Sequence, residues 1–301
     1  MLFQFIKMKT IQRNFIPGSK WIYFKFYSGT KTTDSILTDS LFLTIKSLKK
    51  KGLIEKWFFI RYADPETHLR VRFLAASDTV VSEIINVIYL LGNKLVKENK
   101  VWKIQIDTYN RELERYNNVL MEATETLFYI DSECTLALMK RLRRYDEKYQ
   151  WMIALRMIDT FLSNFSFDLQ QKYVLMFNMS NSFKMEFGFT QYNQKQLNAK
   201  YREHKYVIEG ILQSKIDDIA YLDLCRLLDN VKYEKRTIAK ELIRKANANN
   251  IELASLLPSY IHMILNRLFC TKNRIYELVL YDFMYRSYSD EIGRNKYLHS
   301  I

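Results

Sequence analysis

Residues 57–73 read WFFIRYADPETHLRVRF and predict a β-hairpin. Its two aromatic and β-branched runs, Trp57 to Tyr62 and His68 to Phe73, are typical of strands. The polar segment between them, Ala63 to Thr67, contains a proline and is typical of a loop. The second run alternates strictly between basic and apolar residues, so the two sets of side chains point to opposite faces of a sheet. The hairpin is the centre of the predicted fold.

The sequence on either side of the hairpin extends it to a βαββαβ unit. A strand at Lys20 to Tyr27 and a helical period from Ile36 to Gly52 precede the hairpin, and a helix at about residues 79–98 and a strand at Val101 to Asp107 follow it. The natural packing for this order is an antiparallel sheet with two helices covering one face.

From Arg111 onward glycine and proline become rare and helical periods dominate. We expect about six to eight helices there, the first two at roughly residues 111–129 and 132–144. The predicted fold class is therefore α+β. An N-terminal antiparallel βαββαβ sheet subdomain occupies residues 1–110, a mostly α-helical subdomain occupies residues 111–301, and the two form one domain.

The composition favours a soluble globular protein. The chain has 301 residues, 48% of them hydrophobic and 26% charged. No uninterrupted apolar run reaches the roughly 20 residues of a membrane span, and the first residues lack a signal peptide pattern. We therefore expect a cytoplasmic protein without a membrane span. The net charge of +13 favours an anionic partner such as RNA, an acidic peptide or a carboxylate-bearing substrate.

Motifs for cofactors and metals are missing from the sequence. The seven glycines are isolated, so no phosphate-binding loop or dinucleotide fingerprint is present. The four histidines and three cysteines show no spacing typical of metal ligands or of a disulfide framework. We predict neither a cofactor nor a metal, which makes ATP- and NAD-dependent chemistry improbable.

The basic row of the hairpin is the first candidate site. His68, Arg70 and Arg72 share the outer face of their strand, with successive members about 7 Å apart. Arginine suits carboxylates because its planar fork donates two parallel hydrogen bonds and stays charged. Such a row predicts binding of a multivalent anion. A solvated strand face with ordinary ion pairs is the alternative that this periodicity leaves open.

Several stretches resemble the C-terminal domain of lantibiotic dehydratases, in the order of that family. They are FIPGSKWIYFKFY at 15–27, FFIRYADPETHLRVRF at 58–73, DTY at 107–109, ELERY at 112–116, DSE at 131–133 and IHMILNRL at 261–268. In that family a large N-terminal domain transfers glutamate from glutamyl-tRNA to Ser or Thr of a precursor peptide. The C-terminal domain then eliminates the glutamate and leaves a dehydroamino acid. The resemblance implies a stand-alone elimination domain.

The resemblance also implies five site residues, namely Arg70, Arg72, Arg115 and His262 as the catalytic set, and Glu112. We expect Glu112 to bind substrate together with His68, Arg61 and Asn266, which lie near these residues in the sequence. A glutamyl ester presents a carboxylate, an ammonium and an acidic Cα proton, so its elimination needs anion clamps and an acid or base. The three catalytic arginines can act as clamps. Glu112 lies three residues before Arg115 and can orient it or hold the ammonium, although surface helix pairs have the same spacing.

His262 lies in the helix that follows Pro258, beside a stripe of apolar residues and one turn before Asn266. A lone helical histidine is more often packed than catalytic. The resemblance implies instead the acid or base of the elimination, a role that suits the side chain that titrates nearest neutral pH. Three positions depart from the family: Asn117 and Asn118 replace two frequent glycines, and Ile264 replaces a frequent second histidine.

The expected partners are a glutamylated, ribosomally made precursor peptide and a separate glutamylating half of the dehydratase. Two alternatives stay open. Stand-alone relatives include cyclases that join two dehydroalanines into a pyridine ring, but these tend to lose the glutamate-handling residues. A non-catalytic accessory subunit that binds the peptide or tRNA is the other alternative, which the basic charge favours. The retained arginines and His262 favour elimination.

Overall fold

A computed structural model describes residues 11–298 of the chain. The strands are β1 (Asn14–Phe15), β2 (Trp21–Tyr27), β3 (Ile54–Tyr62), β4 (His68–Ala75), β5 (Lys103–Asp107) and β6 (Tyr109–Asn110). The α-helices are α1 (Thr30–Ser35), α2 (Phe42–Lys50), α3 (Val81–Lys97), α4 (Leu113–Tyr116), α5 (Met121–Leu142), α6 (Lys148–Asn164), α7 (Leu169–Glu186), α8 (Gln191–Leu212), α9 (Ile219–Asp229), α10 (Lys232–Ala248), α11 (Leu257–Leu268) and α12 (Asn273–Leu298). The ends of the two expected subdomains, residues 1–10 and 299–301, lie outside the described residues.

The main sheet has the antiparallel strand order β3-β4-β2-β5. This confirms the α+β class and the βαββαβ order. The hairpin pairs β3 with β4, and Lys25 of β2 lies directly opposite Arg70 of β4. A second, two-stranded sheet pairs β1 with β6, with Phe15 opposite Tyr109. The sequence did not predict this sheet, because strands of two residues are too short to show an alternating pattern.

One face of the main sheet is covered as expected. Ile22, Phe24 and Phe26 of β2 pack with Leu69, Val71 and Phe73 of β4 beneath the helical segment 30–50 and α3. A π-helical turn, Ile36–Leu41, joins α1 to α2 and is mostly buried in this core. Leu136 and Met139 of α5 also belong to this core.

One helical stretch, Asp78–Lys97, is long and apolar enough to cross a membrane by length and composition alone. It contains α3, and the core helix of a soluble protein passes the same test. Ile84, Ile88 and Leu95 of this helix are fully or almost fully buried against the sheet. The absence of a membrane span stays a prediction.

The opposite face of the sheet is not an outer face. Trp21, Tyr23 and Phe58 are buried in a core that they share with the helical part, where Phe58 packs against Phe128 of α5. The prediction of an outer face is therefore wrong for His68 and Arg72, which are only 2% and 6% exposed. Their strand alternates as predicted, but aromatic residues on the neighbouring strands draw the helices onto this face.

Helix α5 runs unbroken through residues 130 and 131, where the sequence predicted an end between two helices. The polar residues at that point have buried partners. The Asp131 carboxylate accepts a hydrogen bond from Arg267 at 3.0 Å, and the Ser132 hydroxyl accepts one from the backbone N–H of Phe59 at 3.3 Å. These residues face the sheet. They are polar because they bond to other buried groups of the protein, and not because they lie in an exposed loop.

Two neighbouring side chains of α11 fasten the helical part to the edge strand β3. The Asn266 amide exchanges two hydrogen bonds with the backbone of Arg61, both 3.0 Å long. Arg267 donates from Nε to the carbonyl oxygen of Phe59 at 3.0 Å. Backbone groups at a buried strand edge must be paired, and α11 supplies the partners that a further strand would supply. Burial lowers the pKa of Arg267, which Asp131 opposes by stabilising its charge.

We predict that Arg267→Met destabilises the protein by about 2–4 kcal/mol, because it leaves the carbonyl oxygen of Phe59 without its donor and removes one of the two cations bonded to the buried Asp131, the other being Lys235 at 3.1 Å. The matched control is Arg143→Met, which removes an ion pair between half-exposed side chains, 2.6 Å from Asp39, and should cost about 1 kcal/mol or less. Urea denaturation of both variants gives the comparison. Equal losses of unfolding free energy in the two variants would show that Arg267 does not stabilise the contact between α11, α5 and the sheet.

Candidate functional site

A buried carboxylate holds the ring of His262. Its Nδ1 lies 2.8 Å from Oε1 of Glu277, a residue of α12 that is 1% exposed. The second oxygen of Glu277 accepts from the Tyr281 hydroxyl and from Arg274, both at 3.4 Å. A carboxylate accepts a proton-bearing nitrogen, so this contact favours the tautomer with the proton on Nδ1. Nε2 has no hydrogen-bond partner among the described residues and is available to a substrate.

His262 borders two cavities. The first has a volume of about 410 Å³ and is lined by residues that include Arg115, Ser259, Arg274 and Glu277. The second has a volume of about 560 Å³, and its lining includes Arg61, Tyr62, His68, Asn266 and Lys272. Both volumes are in the range of ligand-binding sites. The predicted acid or base is therefore accessible from two sides.

The ELERY segment contributes to the smaller cavity. Arg115 donates from Nε to the hydroxyl of Ser259 at 3.1 Å, and Ser259 lies one turn before His262 on α11. Nη1 of Arg115 lies 3.5 Å from Glu112, so the spacing of three does produce the expected pair. The structure thus brings Arg115 and His262 to one cavity, with Glu112 attached through Arg115. The side chain of Arg115 is 43% exposed and can turn towards a ligand.

A buried ion pair fixes the backbone that leads into this segment. Arg111 donates to both oxygens of Glu125 at 2.7 and 2.6 Å, and the Tyr109 hydroxyl donates to the same carboxylate at 2.9 Å. Beyond the segment, Asn117 has φ of 65°, at a position where the family often has glycine. With ψ of 144°, this conformation lies outside the left-handed helical region that asparagine tolerates and in a region that favours glycine, so the backbone at Asn117 is strained.

Arg72 lies in an aromatic box on the sheet. Its Cζ is 4.4 Å from the ring centre of Tyr23, 4.7 Å from that of Tyr109 and 5.1 Å from that of Phe58. Ring faces attract a guanidinium but accept no full hydrogen bond. Nε and Nη1 of Arg72 are buried and have no hydrogen-bond partner. Unfilled donors on a buried cation are costly, so this group favours an anionic ligand.

Arg70 and His68 form a linked pair, of which His68 lines the larger cavity, whereas neither Arg70 nor Arg72 lines either of the two cavities. Arg70 donates from Nε to Nε2 of His68 at 3.1 Å, and its Cζ lies 3.4 Å from the ring centre of Tyr62. Nδ1 of His68 lies 2.7 Å from the carbonyl oxygen of Glu66. Both contacts are satisfied when the ring is neutral, donating from Nδ1 and accepting at Nε2. Burial lowers the pKa of His68, which favours that form.

Arg61 and Asn266 line the larger cavity, but many of their hydrogen-bond donors and acceptors already have partners within the protein. Arg61 donates to the Thr33 hydroxyl at 2.9 Å and to the Arg267 carbonyl at 3.0 Å, and forms an ion pair with Asp34 at 2.6 Å. Asn266 is occupied by the backbone of Arg61. Their main contacts are structural, and a role in substrate binding stays a prediction.

Sequence reasoning missed Glu277, Ser259 and the aromatic box around Arg72. Glu277 lies 15 residues after His262 on the next helix, so no local spacing relates the two. Ser259 gives a weak signal, since it is one turn before His262 on the same helix. Within residues 11–298, no group of three or more histidine, cysteine, aspartate or glutamate side chains is arranged to hold a metal ion.

Residues 21–288 match the family model described as lantibiotic biosynthesis dehydratase, C-terminal part. The chain is 26% identical over 291 residues to the subtilin biosynthesis protein SpaB of Bacillus subtilis, an alignment that includes 88% of this chain and 25% of SpaB. The chain thus spans about a quarter of the length of this curated relative.

Two solved structures share the fold. MibB, a tRNA dependent lantibiotic dehydratase from Microbispora sp. 107891, superimposes with a TM-score of 0.71 and 19% identity over 92% of this chain and 29% of its own. TbtD, a pyridine synthase from thiomuracin biosynthesis, superimposes with a TM-score of 0.61 and 11% identity over 91% of this chain and 99% of its own. At these identities the likeness shows the fold alone.

We predict that His68 titrates below its ordinary pKa of 6.5, because burial disfavours the charged ring. An NMR titration of the ring Cε1–H signal measures this, and His68→Asn assigns the signal. Since the folded pKa is depressed, the contribution of His68 to stability is complete above about pH 6.5 and is lost as the pH falls through the folded value. A midpoint at or above 6.5 would contradict the neutral, bonded ring.

Proposed function

Because the chain belongs to the family of lantibiotic biosynthesis dehydratase C-terminal domains, we propose that it removes glutamate from glutamylated Ser or Thr residues of a ribosomal precursor peptide. The products are dehydroalanine from serine and dehydrobutyrine from threonine. The observation that carries the proposal is the His262 ring, which Glu277 holds at the border of two cavities with Arg115 on the same wall.

The proposed step is a β-elimination. The Cα–H bond of the glutamylated residue and the bond from Cβ to the ester oxygen break, and a Cα=Cβ double bond forms. The proton passes to a base, and glutamate leaves with the bonding electrons as a carboxylate. No oxidant, reductant or metal is needed for this balance, which is consistent with our expectation that the protein uses no cofactor.

His262 is the proposed base. With its Nδ1 proton held by Glu277, Nε2 accepts the Cα proton, and the buried carboxylate stabilises the imidazolium that results. The same ring can return the proton to the departing glutamate. General acid or base assistance of this kind contributes about 10²–10⁴-fold to a rate.

The arginines are the proposed anion clamps. Arg72 has buried donors without partners, so a carboxylate or a developing enolate gains strong hydrogen bonds there. Arg70 and Arg115 are more exposed and already have polar neighbours, which suits groups that adjust to each substrate. Glu112 orients Arg115 or binds the glutamate ammonium, and His68, Arg61 and Asn266 complete the proposed substrate-binding set.

The proposed partners follow from the reaction. A glutamylated precursor peptide is the proposed substrate, and a separate glutamylating half of the dehydratase is the proposed source of it. Elimination itself does not require contact with tRNA. These proteins are expected to meet in the cytoplasm.

A pyridine-forming cyclase is the second candidate, because the fold of this chain superimposes on nearly all of the pyridine synthase TbtD. Elimination of glutamate is preferred, since the arginines and the histidine expected for glutamate handling are present and two of them share a cavity. A peptide carrying two dehydroalanines distinguishes the candidates, because only a cyclase would convert it. An accessory role in tRNA binding would show instead as salt-dependent RNA binding without any product.

We predict that the protein converts a synthetic peptide with a glutamyl-serine ester into the dehydroalanine peptide and free glutamate. It should leave the same peptide with unmodified serine unchanged, because the proposed elimination needs the glutamyl ester as its leaving group. Mass spectrometry of both reactions gives the result. Dehydration of the unmodified peptide, or a glutamylated peptide that stays intact, would contradict the proposal.

We predict that His262→Ala slows elimination by about 10²–10⁴-fold and leaves binding of the glutamylated peptide nearly unchanged. Glu277→Gln keeps the shape but loses the charge that stabilises the imidazolium, so it should lower the rate less and shift the pH profile. Single-turnover rates across pH, with peptide affinity measured separately, test both variants. His262→Phe fills the space of the ring, and full activity in this variant would indicate a packing role.

A further inference from the structure

A third cavity lies among α6, α8 and α12, and Lys272 is the one lining residue that it shares with the cavities described above. Its volume is about 320 Å³. Most of its lining is apolar or aromatic, namely Trp151, Ile275, Tyr276, Val279, Leu280 and Phe283. The size and the composition fit one large apolar side chain of a ligand.

Part of this apolar lining is left open by the protein itself. Ile275 is 51% exposed and Tyr276 is 37% exposed. The Trp151 ring is held in place by the ring of His204, 5.3 Å away. Exposed apolar groups gathered in a concave surface, with an ordered aromatic wall, are typical of a binding site and not of a random surface position.

The remaining lining residues are basic: Lys200, His204 and Lys272. Neither lysine forms an ion pair with the residues that the structure describes, 11–298. Their charges are therefore available to an acidic group beside the apolar ligand. A folded nucleic acid is a poorer match, because phosphates need a basic track and offer no apolar side chain for the cavity.

The cavity adjoins the larger of the two cavities at His262. Lys272 lines both. Phe269, from the larger cavity, stacks on Tyr276, from the third cavity, with ring centres 4.1 Å apart and an angle of 10° between the planes. One aromatic pair and one lysine thus separate the two spaces, and an extended peptide that leaves His262 can reach the third cavity.

We propose that the third cavity is a specificity subsite for the peptide substrate. It binds an aromatic or branched aliphatic side chain a short distance along the chain from the glutamylated residue, and Lys200 or Lys272 binds a carboxylate next to that side chain. This inference rests on the proposed function for the identity of the peptide. It adds a preference for sequence around the modified residue, which the elimination chemistry alone does not require.

The test uses two short fluorescein-labelled peptides that contain unmodified serine and glutamate and differ only in phenylalanine or alanine at one position. Moving the phenylalanine along a series of peptides finds the best spacing. Fluorescence anisotropy should show about ten- to a hundredfold tighter binding of the best phenylalanine peptide, the gain expected for burying one such side chain. The variant Ile275→Glu places a charge at the mouth of the cavity and should abolish this difference.

The matched control is Ile219→Glu, which makes the same substitution at a residue of α9 that is 88% exposed and does not line the cavity. It should keep the preference for phenylalanine. Lys200→Gln is a second, exposed variant that should reduce only the gain from the neighbouring glutamate. Equal affinity for both peptides at every spacing, or equal effects of the two isoleucine variants, would overturn the subsite.

Separate measurements of peptide binding and of elimination distinguish the proposed subsite from the proposed function. The affinity measurements use peptides without the glutamyl ester, so they do not depend on elimination. A phenylalanine preference without elimination would retain the subsite and refute the proposed function. Elimination at equal rates and affinities for both peptides would retain the function and refute the subsite.

Discussion

The guanidinium of Arg267 is completely buried, and the geometry of the candidate functional site depends on the position of this group. It is bonded at once to the carboxylate of Asp131 on α5 and to the carbonyl oxygen of Phe59 on β3. A buried cation tolerates little displacement, because each lost bond leaves a buried donor or acceptor unpaired in a medium of low polarity. The preceding residue, Asn266, repeats the attachment on the same strand. The position of α11 relative to the sheet is therefore specified at two successive residues.

That position places residues from distant parts of the sequence on either side of His262. His262 stands one turn before Asn266, so the attachment that closes the strand edge also sets where the imidazole enters the cavities. On one side the sheet contributes His68, to which Arg70 donates a hydrogen bond, and on the other the segment after β6 contributes Arg115. The ion pair between Arg111 and Glu125 anchors that segment to α5, and the ion pair between Asp131 and Arg267 joins α5 to α11. The positions of the segment and of α11 are therefore both fixed relative to α5.

The sequence predicted the four strands of the main sheet, their succession along the chain and the helices over one face, because alternating and helical patterns are local. It did not predict that aromatic rings cover the second face and enclose Arg72, since this depends on which helix packs there. For the same reason it predicted a break between two helices at residues 130 and 131, where α5 is continuous. Within the site, the family resemblance supplied His262, but Glu277 comes from a helix whose contact with α11 no pattern reveals. Residues with partners close in sequence, such as Glu112 and Arg115, were the predictable ones.

Rigid and adjustable groups have separate places in the site. His262 and Arg72 are fixed, one by a buried carboxylate and the other by three aromatic rings, and these are the groups proposed to act on the reacting atoms, where geometry matters most. Arg115 is half exposed and pairs only with Glu112 at 3.5 Å and with a serine hydroxyl. In the proposed function, a glutamylated peptide presents the same ester whatever residues flank it. Fixed groups suit that ester, and exposed cations and an open apolar cavity suit the flanking residues.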